Sequence, residues 1–106
     1  MAETDFPLDV PVFVVVEVLT MRDPDVMADY VAAIAPQMDS YGAVNVGAGL
    51  KTHKGTSDAI HMVISRWPSA QAYLDWQASD DYAPWGEKRK AAADIRAHFI
   101  PVLPGA

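Results

Sequence analysis

The junction Arg66-Trp67-Pro68-Ser69, followed at helical offsets by Ala72, Tyr73, Trp76, Ser79 and Tyr82, constrains the fold more than any other stretch of the chain. Trp67 closes an apolar strand, and Pro68 ends its ladder by removing a backbone donor. The Ser69 hydroxyl is placed to cap the helix that follows. Tyr73 and Trp76 fall on one face of that helix, so the junction predicts a strand delivered straight into an amphipathic helix lying over the sheet.

The same order occurs earlier. Residues 11–20 are dominated by valine, a β-branched residue suited to a pleated surface, and their near-continuous apolarity predicts a central strand covered on both faces. Asp23-Pro24-Asp25 then starts a helix, with Asp23 as cap, Pro24 in the first turn and Asp25 favourable to the dipole. Met27, Tyr30, Val31, Ile34, Met38 and Tyr41 give it one buried stripe. Pro36 inside the stripe predicts a kink or a break near Ala35, and Gly42 predicts a left-handed cap. Residues 43–52 read as a strand with a bulge or a close backbone approach at its glycines, residues 54–58 as a turn, and residues 59–67 as the third strand. The second helix runs over residues 69–78, a further helical piece begins near Pro84, and residues 94–102 form the last strand.

The predicted order is β-α-β-β-α-β, an α+β chain of the ferredoxin-like kind. Right-handed crossovers put the helices on one face of a four-stranded sheet. The other face is too rich in valine to be solvated, and a second copy is its simplest cover. At 106 residues and 51% hydrophobic, there is material for one core: an acidic leader over residues 1–10, then a single domain over residues 11–106. With no cysteine, disulfide and thiolate chemistry are excluded.

A formal charge of −6 argues against nucleic-acid and anionic-membrane partners. The basic run Lys88-Arg89-Lys90 reads as a solvated helix end. The acidic start lacks the pattern of a secretory signal, and no apolar run approaches the roughly 20 residues of a membrane span, so the expectation is a cytoplasmic protein.

Asp23-Pro24, Tyr30, Tyr41-Gly42, Trp67-Pro68-Ser69, Ala72, Leu74, Trp76, Ser79, Tyr82, Pro84, Arg89 and Asp94 together resemble a small uncharacterised family of the dimeric α+β barrel superfamily. The resemblance covers nearly the whole chain after its leader. It implies a homodimer whose two sheets pack into a barrel, with a ligand cleft between sheet and helices in each subunit. The superfamily includes cofactor-free monooxygenases of aromatic polyketides, polyketide cyclases, lactone isomerases, haem-degrading enzymes and ligand-sensing domains. The chain departs from the nearest branch at Ala43 and Val44, where Gly-Arg is usual, and at Arg66, where an acidic residue is usual.

Glu17 interrupts an apolar strand. It is either a general acid or base whose pKa burial raises toward neutrality, or the partner of Arg66 or Arg96 in an ion pair. His61 lies in the adjacent strand, and a histidine held by a carboxylate is a proton shuttle, provided the register lets Glu17 and His61 meet. Arg66 offers planar donors for an enolate or carboxylate oxygen, and Asn45 a donor for an oxyanion. Tyr30, Trp67, Trp76, Tyr82 and His98 are candidates to contact a flat, apolar substrate. No metal-ligand spacing, phosphate loop or nucleophile elbow is present. The expectation is a cofactor-independent enzyme with Glu17, His61 and Arg66 as catalytic residues, acting on an aromatic or polyketide-like compound by cyclisation, dehydration, isomerisation or cofactor-free oxygenation. A non-catalytic metabolite-binding or sensing dimer is the alternative.

Overall fold

The computed structural model describes residues 6–105, and its central strand is the valine-rich segment, β1 (Val12–Met21). Helix α1 (Pro24–Ser40) follows, then strands β2 (Val44–Ala48) and β3 (His61–Trp67), helices α2 (Ala70–Gln77) and α3 (Ala83–Ala92), and strand β4 (Ala93–Pro101). The sheet order is β2-β3-β1-β4 with every neighbouring pair antiparallel, the arrangement of a ferredoxin-like α+β unit.

The caps read from sequence hold the helices in place. Asp23 accepts from the Val26 amide at 3.1 Å, and Ser69 from the Ala72 amide at 3.0 Å. Helix α1 ends in a Schellman motif: the Ala43 amide donates to the Met38 carbonyl and the Gly42 amide to the Asp39 carbonyl, both at 3.0 Å, with Gly42 at φ +80°. A β-carbon on Gly42 would also come within 3.0 Å of the Pro68 ring, so glycine joins this cap to the second strand–helix junction.

Some sequence expectations are corrected. Helix α1 runs unbroken through Pro36; the position is exposed, where water can serve the carbonyl that proline leaves without a donor. Strand β2 stops at Ala48 rather than continuing to residue 52, because Gly49 turns away at φ +115°. Its irregularity is a bulge between Asn45 and Gly47, and nothing approaches Gly47 closely. Strand β3 starts at His61, not at residue 59, and the helical piece after residue 80 is a third helix in its own right. The expected leader falls partly on residues 1–5, which lie outside the described residues. Phe6, at the start of the described part, packs against Phe99 with ring centres 5.8 Å apart.

Register fixes which side chains share a face. On the helix side the cross-strand rows are Trp67–Val12–Pro101, Ser65–Val14–Phe99, Val63–Val16–Ala97 and His61–Val18–Ile95. The rows between them, Arg66–Phe13–Ile100, Ile64–Val15–His98 and Met62–Glu17–Arg96, belong to the face without helices. The core gathers at one end of the helix side, around Val12, Val14, Trp67, Trp76, Met38 and Tyr82.

Candidate ligand cavity

Between the sheet and α1 lies a cavity of about 700 Å³. The alternation of β1 supplies its floor, Val14, Val16 and Val18, and α1 supplies a wall of Met27, Tyr30, Ile34 and Met38 from its apolar stripe. Trp67 and Trp76 close the core end, their ring centres 5.4 Å apart, and Tyr73 stands edge-on to Trp67 at 5.2 Å. Both indole N–H groups are already engaged, Trp67 with Ser65 Oγ and Trp76 with Gln37 Oε1, each at 2.9 Å. These tryptophans therefore act as apolar walls and not as donors to a ligand. His61 lies at the opposite, exposed end. The β2 bulge brings both Asn45 and Val46 to the cavity lining.

A polar cluster stands on the helix side of this space. The Tyr30 and Tyr82 hydroxyls are 2.8 Å apart and buried. Burial pushes the Tyr30 hydroxyl well above the usual tyrosine range, and Tyr73 up to about 12, so both remain neutral donors near pH 7. Arg89 lines the cavity as well, and its positive charge pulls both of these tyrosines the other way.

Arg89 is the functional candidate that sequence reasoning missed. It sits in the run read as a solvated helix end; Lys88 and Lys90 are indeed exposed, but Arg89 is turned inward. Helical spacing carried the signal, since Tyr82, Gly86, Arg89 and Ala93 fall on one stripe of α3 and its ends. Gly86 makes room for this stripe: a β-carbon there would meet the Tyr82 ring at 2.8 Å.

The sequence-derived constellation is thus split by the sheet. His61, Asn45, Tyr30, Trp67, Trp76 and Tyr82 line the cavity; Glu17, Arg66 and His98 do not. Val18, not Glu17, pairs with His61, so the expected Glu17–His61 contact does not form: a one-residue step along a strand reverses the face. Arg66 borders a separate hollow of about 240 Å³ with Pro11, Gly42, Val44 and Pro68.

On the face without helices, Arg96 bridges Glu17 at 2.7 Å and Asp58 at 2.8 Å, and His98 Nε2 lies 3.0 Å from Glu17. The Arg96 guanidinium, and after it His98, hold the Glu17 carboxyl below its usual range, the reverse of the rise toward neutrality expected from burial. Of its two sequence readings, Glu17 takes the ion pair, with Arg96 as the partner. Among the described residues, no three of His, Asp and Glu come together as a metal-binding group, and no helix is long and apolar enough to cross a membrane.

The family of the domain of unknown function DUF1330 matches residues 11–103. The chain belongs to that family. No protein of curated function matches it in sequence. A protein of unknown function from Rhodopseudomonas palustris is similar in structure, 21% identical, with a TM-score of 0.75 over 95% of this chain and 88% of that one. SnoaB, a cofactor-independent oxygenase from Streptomyces nogalater, is 15% identical with a TM-score of 0.66, covering 89% of this chain and 94% of its own. A dimeric protein of unknown function with a ferredoxin-like fold from Bacteroides fragilis is 12% identical with a TM-score of 0.61, covering 90% and 99%. At these identities the likeness is one of fold.

Proposed function

We propose that this DUF1330 chain is a homodimeric, cofactor-independent enzyme that moves a proton on a flat, largely apolar small molecule held between sheet and helices. The observation that carries the reading is the composition of the cavity lining. Its walls are apolar and aromatic, and among the described lining residues His61 is the one side chain that can serve as a base near neutral pH. Opposite it stand neutral tyrosine donors and a guanidinium, groups that stabilise an oxyanion as a neighbouring carbon loses its proton. His61 thereby keeps the proton-moving role that the sequence offered to it or to Glu17, and Arg89 takes the role first given to Arg66.

Isomerisation and aldol-type cyclisation follow from such an enolate, as does dehydration when a leaving group lies next to it. SnoaB, as a cofactor-independent oxygenase of similar fold, supports the variant in which a substrate carbanion supplies electrons to oxygen. The second copy would cover the face carrying Phe13, Val15, Met62 and Ile64, and the dimeric Bacteroides fragilis protein supports this assembly. One observation favours the non-catalytic alternative: among the described residues, no carboxylate lines the cavity to orient His61.

The test is exchange of the acidic α-protons of 2-tetralone with deuterated water, followed by proton NMR beside a thermal-shift assay. The expected result is accelerated exchange that falls about 100-fold or more in His61→Gln, with the ligand-induced thermal shift retained. A thermal shift without accelerated exchange establishes the binding role and removes the enzyme.

A further inference from the structure

Three basic side chains of the described residues are held in salt bridges. Arg22 meets Asp94, Lys90 meets Glu87, and Arg96 meets both Glu17 and Asp58. Arg89 lines the cavity yet has no salt bridge among the described residues, and no Asp or Glu lines the cavity beside it. Its Nη1 donates to the Ala93 carbonyl at 3.1 Å, which fixes the guanidinium to the start of β4. Its Nε is buried and has no partner at all. A buried donor on a charged group without an acceptor is costly, and native structures rarely leave one so.

The geometry of the unused edge identifies what is missing. Nε–H and an Nη2–H lie parallel on one side of the planar guanidinium, the edge that matches a carboxylate through two parallel hydrogen bonds. The Tyr30 and Tyr73 hydroxyls, close enough for Arg89 to influence their ionisation, are protonated and able to add a donor. The helix-side row gives a scale. His61 and Ile95 flank Val18 on opposite sides of β1, two strand spacings or roughly 10 Å apart, and the Arg89 anchor at Ala93 lies two residues beyond Ile95, opposite Met21. The walls between them are apolar.

We infer that the ligand is an aromatic or fused-ring monocarboxylate, its carboxylate seated on the Arg89 guanidinium and its ring system lying over the valine floor toward His61. The inference rests on the cavity reading above and narrows its substrate class from flat apolar molecules in general to acids. It makes Arg89 a specificity-determining residue, which neutralises a charge already present on the ligand and leaves the developing oxyanion to the tyrosine hydroxyls.

The experiment is calorimetric titration of the full chain with 2-naphthoate and with its uncharged isostere 2-naphthamide. The acid should bind at least about tenfold more tightly than the amide; Arg89→Gln should abolish that preference, and Arg89→Lys should retain only part of it, because lysine is a point charge without the fork. Equal binding of acid and amide overturns the inference while leaving the cavity reading intact, and so does a preference that survives Arg89→Gln. Binding of neither compound removes the cavity reading and this inference together. Should Arg89→Gln fail to fold, the acid–amide ratio of the unaltered chain and the weakening in Arg89→Lys decide the question, and lysine affinity equal to that of the unaltered chain counts against it.

Discussion

The two faces of β1 treat charge in opposite ways. On the face without helices, the carboxylate of Glu17 is met by Arg96 and His98, and Arg96 also takes Asp58. On the helix side there is one guanidinium, no carboxylate among the described lining residues, and a buried Nε without a partner. Both faces of β1 are largely apolar, Val12, Val14, Val16 and Val18 on one and Phe13, Val15 and Leu19 on the other, so hydrophobicity alone does not distinguish them. The state of the polar groups does: satisfied charges hold a surface together, and unsatisfied ones beside empty volume point to a ligand.

The comparison is broken most forcefully by placing the same charge on each face. Val14 is 1% exposed, so Val14→Asp buries an unpaired carboxylate in the core and should cost about 4 kcal/mol or more, enough to prevent folding of a chain this small. Val15→Asp, one residue along, should leave a folded chain and convert the proposed dimer to monomer by sedimentation velocity. Comparable unfolding by both substitutions would mean that the two faces are equally parts of one core.

A smaller effect sharpens the paired face. The folded-state pKa of Glu17 is depressed below its ordinary 4.5, so its contribution to stability is complete above that value and is lost as pH falls through the lower folded-state value. Urea midpoints measured from pH 7 down to acid should therefore fall on the acid limb, less steeply in Glu17→Gln, while Glu17→Gln leaves the tetralone exchange unchanged. Loss of exchange in that variant would restore Glu17 to the chemistry.

These contrasts also show why the sequence yielded the scaffold more readily than the site. Asp23, Gly42 and Ser69 act through backbone groups a few residues away, and the valine run and the Trp67–Pro68 stop are local as well, so the order of elements could be read directly. The meeting of Glu17 and His61 depended on the register of β1 against β3, which long-range pairing sets; a single-residue step separates neighbours from opposite faces. Arg89 was hidden differently. Two exposed lysines flank it and made the run look like a solvated helix end, although Tyr82, Gly86 and Ala93 share its stripe. Composition outweighed periodicity there, and periodicity was the better guide.

Methyl resonances of the folded chain test the central claim most directly, because the two faces carry the same kind of reporter. On titration with 2-tetralone, the methyls of Val14, Val16, Val18 and Val63 should shift, while those of Val15 and Ile64 stay in place. Shifts confined to Val15 and Ile64 would place the ligand on the other face and contradict the account.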